Sequence, residues 1–348
     1  MASSPPTARH SFSWLTDAGY FNMQAHMIPL RSLPYPTTSY DGKTVLITGG
    51  NVGLGREAAR HFYRLGAKRV ILACRDVEKG RAAQADVETS SPSSKQGGAV
   101  EVWQVDLASF QSVKEFCRRA DAELDRLDVV VGNAGIAIGT YVEADGGFES
   151  TIAINVVSTF LMVLLLLPLM RRTAVRFNVE TKVVIVSSDS HMFARFRERE
   201  ELKGLEAFKG KENMNEDRYN TSKLLSIWIV REMAARMAPN DPVVLNCINP
   251  GFCRTELFRH NTFPLNYIVR CTLRLLGRTA EMGSRTVMAA AAAGRESHGQ
   301  YMDSCVVRTP SKLVVSAEGQ NLQSRVYEEL EGVLEDIQPG ITSVIGDR

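Results

Sequence analysis

Residues 44–65 read TVLITGGNVGLGREAARHFYRL, and this stretch decides the fold. A short apolar, β-branched run (44–48) leads straight into Gly49-Gly50-Asn51-Val52-Gly53-Leu54-Gly55, and an amphipathic helical pattern follows from Glu57 to Leu65. Glycines permit a tight turn and let a bulky anion approach the backbone. The helix behind them offers unpaired N–H groups and the positive end of its dipole. Strand, glycine turn and helix in that order make a phosphate cradle, with Thr48, Gly49, Asn51, Gly53, Leu54 and Gly55 as its candidate contacts. A glycine-rich connection with no ligand is the plainer alternative, and the strand-to-helix junction argues against it.

Working outward, strand-like runs alternate with helical stretches along the chain. RVILAC (69–74) precedes a helix from about Asp76 to Glu88, and VEVWQV (100–105) precedes one from Phe110 to Leu124. LDVVVGN (127–133) leads to a long helix ending near Met170, and KVVIVSS (182–188) comes before a helix starting at Tyr219. VVLNCIN (243–249) follows, and a last strand spans about Tyr301 to Val307. These strands are continuous apolar runs, as when helices cover both faces of a sheet. The alternation predicts an α/β fold with one doubly wound parallel sheet. Ser90–Gly98 reads as a surface loop, 191–216 as a polar, charged loop between a strand end and the next helix that shapes the substrate pocket, and 255–278 as an apolar helix with Arg270, Arg274 and Arg278 on one face. That stripe is either a solvated helix face or part of a lid over a lipophilic site that brushes a membrane surface.

Composition narrows the function classes. Lys and Arg number 41 against 39 Asp and Glu, a net charge of +2, so no bulk charge points to nucleic acid. At 44% hydrophobic and 23% charged residues the chain builds a core, which excludes disorder and a collagen-like fold. Cys74, Cys117, Cys247, Cys253, Cys271 and Cys305 form no CxxC pair and read as thiols of a reducing compartment. The six histidines have no HxxxH or HExxH spacing, so no metal is expected. Residues 1–41 carry no continuous apolar segment after a basic start and read as an arm over the body, which favours a cytoplasmic protein. The run 156–170 has 15 residues, short of the roughly 20 of a membrane span, and reads as a buried helix.

Two further sites carry chemistry. After the second strand an acidic residue would accept hydrogen bonds from a ribose; here stand Cys74 and Arg75. A guanidinium matches a phosphate with two donors, so Arg75 predicts the 2′-phosphate of NADP(H), unless it pairs with Asp76 or Glu78. Tyr219 and Lys223 lie four residues apart on one helix face, about 6 Å along its axis. A phenol of pKa about 10 carries protons poorly at neutral pH, and a nearby ammonium lowers that value.

The order TGGNVGLG (48–55), NAG (133–135), Asn155 in INVVS, Ser187-Ser188, YNTSK (219–223) and NPG (249–251) with Thr255 resembles the short-chain dehydrogenase/reductase family over roughly residues 42–310. ACRDVEKG (73–80) is similar to its retinol-dehydrogenase-like branch, and residues 284–302 and 317–330 to fungal members of that branch found in natural-product pathways. The resemblance implies a Rossmann fold, with a small lid at about 252–278 and an extension at 311–348 carrying one helix. It implies that Tyr219 is the general acid/base, with Lys223 lowering its pKa and holding the nicotinamide ribose. Ser188, with Ser187 as fallback, would bond the substrate oxygen, and Asn155 would order a water linking Lys223 to solvent. Asp106 would meet the adenine and the backbone of Asn133, Ala134 and Gly135 would line the cofactor trough. Pro250, Gly251 and Thr255 would flank the carboxamide.

Two departures stand out: Gly132 where the family's motif has a second Asn, and thirty residues between Ser188 and Tyr219. The expected function is hydride transfer between NADP(H) and a lipophilic ketone or secondary alcohol, with a homodimer through the 156–170 run or the Tyr219 helix as one arrangement. Competing readings are a non-catalytic NADP-binding scaffold or redox sensor, and a retinoid- or steroid-type dehydrogenase.

Overall fold

Parallel strands need both faces covered, and the described residues supply seven of them around one switch in direction. The computed structural model describes residues 32–90, 98–200, 205–254 and 277–346. Strands β1 (Thr44–Thr48), β2 (Arg69–Cys74), β3 (Ala99–Gln104), β4 (Val129–Gly132), β5 (Thr181–Val186), β6 (Val243–Asn249) and β7 (Tyr301–Asp303) run parallel. Strand β8 (Val306–Arg308) pairs antiparallel with β7, giving the order β3-β2-β1-β4-β5-β6-β7-β8. The chain builds outward from β1 to β3, then crosses to β4 on the other side of β1. At such a switch point, ligands enter the crevice beyond the strands' C-terminal ends.

Alternation along each strand divides the core. Val45 and Ile47 face one way, into a cluster with helices α1 (Gly53–Arg64), α2 (Val77–Thr89) and, later in the chain, α6 (Ala280–Ala292). Leu46 faces the other way, toward α3 (Phe110–Glu123), α4 (Ser150–Phe177), α5 (Arg218–Arg236) and α7 (Ala317–Ile337). Side chains start several of these helices. Asp76 accepts the Lys79 N–H at 3.0 Å, Thr279 the Met282 N–H at 3.1 Å and Ser316 the Gly319 N–H at 3.0 Å. Asp76 is therefore a cap and not the first helical residue.

Helix α4 runs from Ser150 to Phe177, longer than the apolar run suggested, and is long and apolar enough to cross a membrane. It is a core helix: 83% of its most apolar stretch is buried inside the fold. Its second turn, Ala153–Ser158, widens into a π-helix that contains Asn155.

Three expectations are corrected. The single last strand is a hairpin, β7–β8, turned at Ser304 and Cys305, both in the left-handed region (φ 51° and 68°). Such two-residue turns match the twist of the paired strands, and the absence of glycine hid this one. The long helix ends at Phe177 and not near Met170, with Asn178 left-handed just beyond it (φ 51°). The polar stretch after Ser188 is also more than a charged loop. It has short 3-10 turns and buries Phe196, Leu205 and Phe208, and the Arg218 guanidinium meets Glu198 at 3.1 Å and stacks 4.5 Å over Phe208.

Residues 32–41 lie along α1 and α6. Arg285 donates to the Leu33 carbonyl at 2.6 Å, and Tyr40 packs edge-on against Phe62 at 4.7 Å. Cys74, Cys117, Cys247 and Cys253 are buried free thiols and Cys305 a half-buried one; Cys271 lies outside the described residues. So do Thr255, Arg270, Arg274 and nearly all of the apolar stretch expected as a lid.

The left-handed Cys305 has a direct consequence for stability. Its Sγ makes only a long contact, 3.9 Å, with Thr286 Oγ1, so little is lost with the side chain. Cys305→Gly is expected to raise unfolding stability by about 0.5–1 kcal/mol, measured by urea denaturation; a loss of stability would show that the thiol contact outweighs the strain.

Candidate active site

The glycine turn after β1 is built as a cradle. Gly49 and Gly53 take positive φ (64° and 54°), which side-chain-bearing residues resist. A Cβ on Gly55 would lie 2.5 Å from both the Asn133 Nδ2 and the Gly49 carbonyl oxygen, so this position admits only glycine. No side chain caps α1: Val52 stands at its N-cap and makes no such bond. Asn51 and Gly53 are half-buried and Leu54 is buried beside them. The cradle fits a dinucleotide, with close backbone approach at the glycines and free N–H groups at a helix start.

What holds the turn is β4, across the switch point. Asn133 Nδ2 donates to the Thr48 carbonyl at 2.8 Å and to that of Gly49 at 3.3 Å. Thr48 Oγ1 accepts the N–H groups of Asn133 (3.0 Å) and Ala134 (2.9 Å). Two N–H groups of the backbone that the resemblance expects along the cofactor trough bond Thr48, so Asn133 and Ala134 clamp the cradle.

At the end of β2, Arg75 is exposed. Its two suspected partners are engaged elsewhere: Asp76 with Lys79 (3.3 Å) and Glu78 with Arg81 (3.0 Å). Arg75 makes no ion pair among the described residues. Asp106, beyond β3, is half-buried and its Oδ1 accepts the Ala108 N–H at 3.0 Å, which fixes its own turn.

Helix α5 carries Tyr219 and Lys223 to the end of β5. Lys223 Nζ donates to the Val186 carbonyl at 2.8 Å and lies 5.6 Å from the centre of the Tyr219 ring. Burial lowers the Lys223 ammonium to about 8. Burial pushes the Tyr219 phenol up, while its hydrogen bond with Ser188 pulls it down. The two serines separate cleanly. Ser187 is buried and donates to the Lys223 carbonyl at 2.9 Å, whereas Ser188 meets the phenol.

Asn155 is tied on every side. Its Oδ1 accepts the Ile136 N–H at 2.9 Å, and its Nδ2 donates to the Ile136 carbonyl and to Ser222 Oγ, each at 3.0 Å. It thereby joins α4, the loop after β4, and α5. A Cβ on Gly135 would sit 3.2 Å from Asn155 Oδ1 and 3.6 Å from Lys223 Nζ, so the site is tight here too. Gly251 (φ 79°) donates its N–H to Asn249 Oδ1 at 3.0 Å, which shapes the turn after Pro250. The structure thus brings Asn155, Ser188, Tyr219 and Lys223 together.

The sequence reading missed two groups. Arg218, one residue before Tyr219, is buried with Glu198 at 3.1 Å and Glu149 at 3.8 Å. Asp189 touches Ser188. Adjacency to the motifs was the available signal for both. Arg278, expected on a helix face with Arg270 and Arg274, is instead buried at a β-bridge with Cys253 and reaches the Pro250 carbonyl at 3.5 Å.

The short chain dehydrogenase family matches residues 43–196. The chain is 43% identical over 319 residues to Short chain dehydrogenase/reductase dmxR8 of Cryptosporiopsis sp. (strain 8999), covering 90% of this chain and 97% of that one. It is 44% identical over 276 residues to Short chain dehydrogenase atnD of Emericella nidulans, covering 78% and 86%. A solved short chain dehydrogenase from Salmonella enterica serovar Typhi superposes with TM-score 0.58 at 25% identity, over 78% of this chain and 99% of that one. A 3-ketoacyl-(acyl-carrier-protein) reductase from Brucella melitensis, complexed with NADH, shares the fold with TM-score 0.57 at 20% identity, over 76% and 97%. With its cradle, its helix-borne Tyr and Lys and relatives matching along nearly their whole length, the chain belongs to the short-chain dehydrogenase/reductase family, oxidoreductases that use a nicotinamide cofactor.

Proposed function

We propose that the chain is an NADP(H)-dependent oxidoreductase that interconverts a lipophilic ketone and its secondary alcohol, working as a cytoplasmic enzyme of natural-product biosynthesis. The observation that carries this reading is the meeting of the Tyr219 phenol, the Ser188 hydroxyl and the Lys223 ammonium beside the glycine cradle. The bound nicotinamide supplies the hydride. Thr48, Gly49, Asn51, Gly53, Leu54 and Gly55 would hold its diphosphate, and Pro250 and Gly251 its carboxamide end. Asp106 would use its second carboxylate oxygen at the adenine.

The protein's own part is to manage one proton. Tyr219 gives it to the substrate oxygen in reduction and removes it in oxidation, and Ser188 donates a second hydrogen bond to that oxygen as charge builds. Lys223, held against the Val186 carbonyl, stabilises the phenolate form electrostatically. Asn155 keeps the Lys223 helix in register through Ser222. Arg75, exposed and without an ion pair among the described residues, supports NADP(H) over NAD(H), because a guanidinium at the end of β2 is placed for a 2′-phosphate. Exposed Met192 and Phe193, close after Ser188, favour an apolar substrate.

Three outcomes are expected. Tyr219→Phe abolishes NADPH consumption across a panel of ketones while the NADPH dissociation constant, followed by its fluorescence, stays within about twofold; retained turnover would remove Tyr219 from the chemistry. Arg75→Ala weakens NADPH by about 10- to 100-fold and leaves NADH nearly unchanged; equal losses for both would contradict the 2′-phosphate assignment. The third concerns Lys223, whose value in the fold lies below its ordinary one near 10.4. The unfolded chain then binds the proton more readily, so charging this lysine destabilises the free protein below about pH 8, and the penalty fades as pH rises to the unfolded value. Lys223→Met should therefore raise the melting temperature of the cofactor-free protein more at pH 7 than at pH 10. A variant less stable at pH 7 would refute the sign.

A further inference from the structure

Asp189 follows Ser188 and opens the short turn Asp189–Phe193. Its Oδ1 accepts the Ser188 hydroxyl at 3.1 Å, while Ser188 Oγ accepts the Ser190 N–H at 3.1 Å. Ser190 Oγ also lies 3.0 Å from the Ser188 hydroxyl, but a carboxyl group is the stronger acceptor. The remaining capacity of Ser188 meets the Tyr219 phenol. The serine that faces the proton-transfer group is thus oriented by its neighbour.

Asp189 occupies an unfavourable place. Burial pushes its carboxyl up; the Ser188 hydrogen bond opposes that, and the like charge of Asp303 at the end of β7 adds to it. The cation on that side, Arg278, donates from Nη2 to Ser304 Oγ at 3.1 Å, and Ser304 donates to Asp303 Oδ1 at 3.0 Å. The guanidinium serves Asp303 and not Asp189. The other titratable groups that face Asp189 are Tyr219 from α5, Tyr301 from β7 and Cys253 from the loop after β6. His191, on the same turn, is bonded away from it, with Nδ1 against the Ser188 carbonyl at 2.7 Å and Nε2 accepting the Ser311 N–H at 3.0 Å. Among the described residues, Ser188 is the only side chain that hydrogen-bonds the Asp189 carboxyl group.

We propose that Asp189 is a positioning residue for the proton transfer: it holds the Ser188 hydroxyl in the rotamer that meets Tyr219, from which the hydroxyl turns to an arriving substrate oxygen, and the fold retains it against Asp303 for that purpose. The proposal rests on the assignment of Ser188 and Tyr219 to hydride-transfer chemistry. It makes a signature that a purely structural residue lacks. A carboxyl group whose value is raised in the fold loses stability for the protein as pH climbs through that value, so removing its charge should stabilise the chain, whereas removing the acceptor for Ser188 should harm turnover.

The experiment compares wild type, Asp189→Asn and Asp189→Ala in three measurements: melting of the free protein near pH 4, close to the ordinary carboxyl value, and near pH 8, NADPH affinity by fluorescence, and NADPH consumption with phenanthrenequinone as probe. D189N is expected to melt roughly 2 °C above wild type near pH 8, with the gap narrowing toward pH 4. D189A should lose about tenfold in kcat with KM and NADPH affinity little changed, and D189N, whose amide oxygen still accepts the Ser188 proton, should recover to within about threefold of wild type. A D189N melting gap no larger at pH 8 than at pH 4, or a D189A kcat within about twofold of wild type, would overturn the proposal. A wild type that binds NADPH and leaves the quinone unreduced would count against the ketone-reductase reading instead, and the melting comparison would still decide whether Asp189 is set against Asp303.

Discussion

One hydrogen bond organises the site: the Lys223 ammonium, buried in the second turn of α5, donating to the Val186 carbonyl at the last residue of β5. A cation deprived of water needs compensation, and here the sheet end provides it. Ser187 repeats the tie in the opposite direction, donating to the Lys223 carbonyl. With α5 fixed to β5 at this level, Tyr219, one turn earlier, stands over the strand end where Ser188 emerges. Asn155 then locks the same helix to α4 through Ser222, on a turn whose π-helical widening turns its amide toward the loop after β4.

The clamp at Asn133 does for the cofactor side what Lys223 does for the substrate side. The Asn133 clamp spans the switch point between β1 and β4, where strand order reverses, and the Lys223 bond ties α5 to the end of the next strand, β5. The fold's ordinary interactions, burial of apolar strands between two helical layers, bring these groups to the same edge. The polar ties then set their positions to within the distances that chemistry requires. Charges held in that edge are a cost to stability, and they are concentrated where the proposed reaction needs them.

The sheet and its helices were legible because continuous apolar strands and amphipathic helices have distinct periods. β1, β2 and β6 span the residues their sequence marked, and β3 to β5 came within two residues of theirs. The site was legible to the extent that it rests on local spacing: the glycines after β1, and Tyr219 four residues before Lys223. What escaped depended on distance in sequence or on rare backbone states. Ser304 and Cys305 adopt a left-handed turn without glycine, and the 191–216 stretch looks solvated because its apolar residues, the buried Phe196, Leu205 and Phe208 among them, are spread among charges. The choice between Ser187 and Ser188 needed coordinates, since both stand at the strand end and only their opposite directions along the strand separate them.

The central claim is that the Tyr219 hydroxyl faces the reacting carbon of the nicotinamide. A crystal structure with NADPH bound measures this directly. The account expects the hydroxyl to lie on the open face of the ring, with room for one carbonyl group between them and a separation of roughly 4–5 Å to the ring's reactive carbon. A ring bound with its other face to the cleft, or a hydroxyl turned into the protein and cut off from it, would contradict the account.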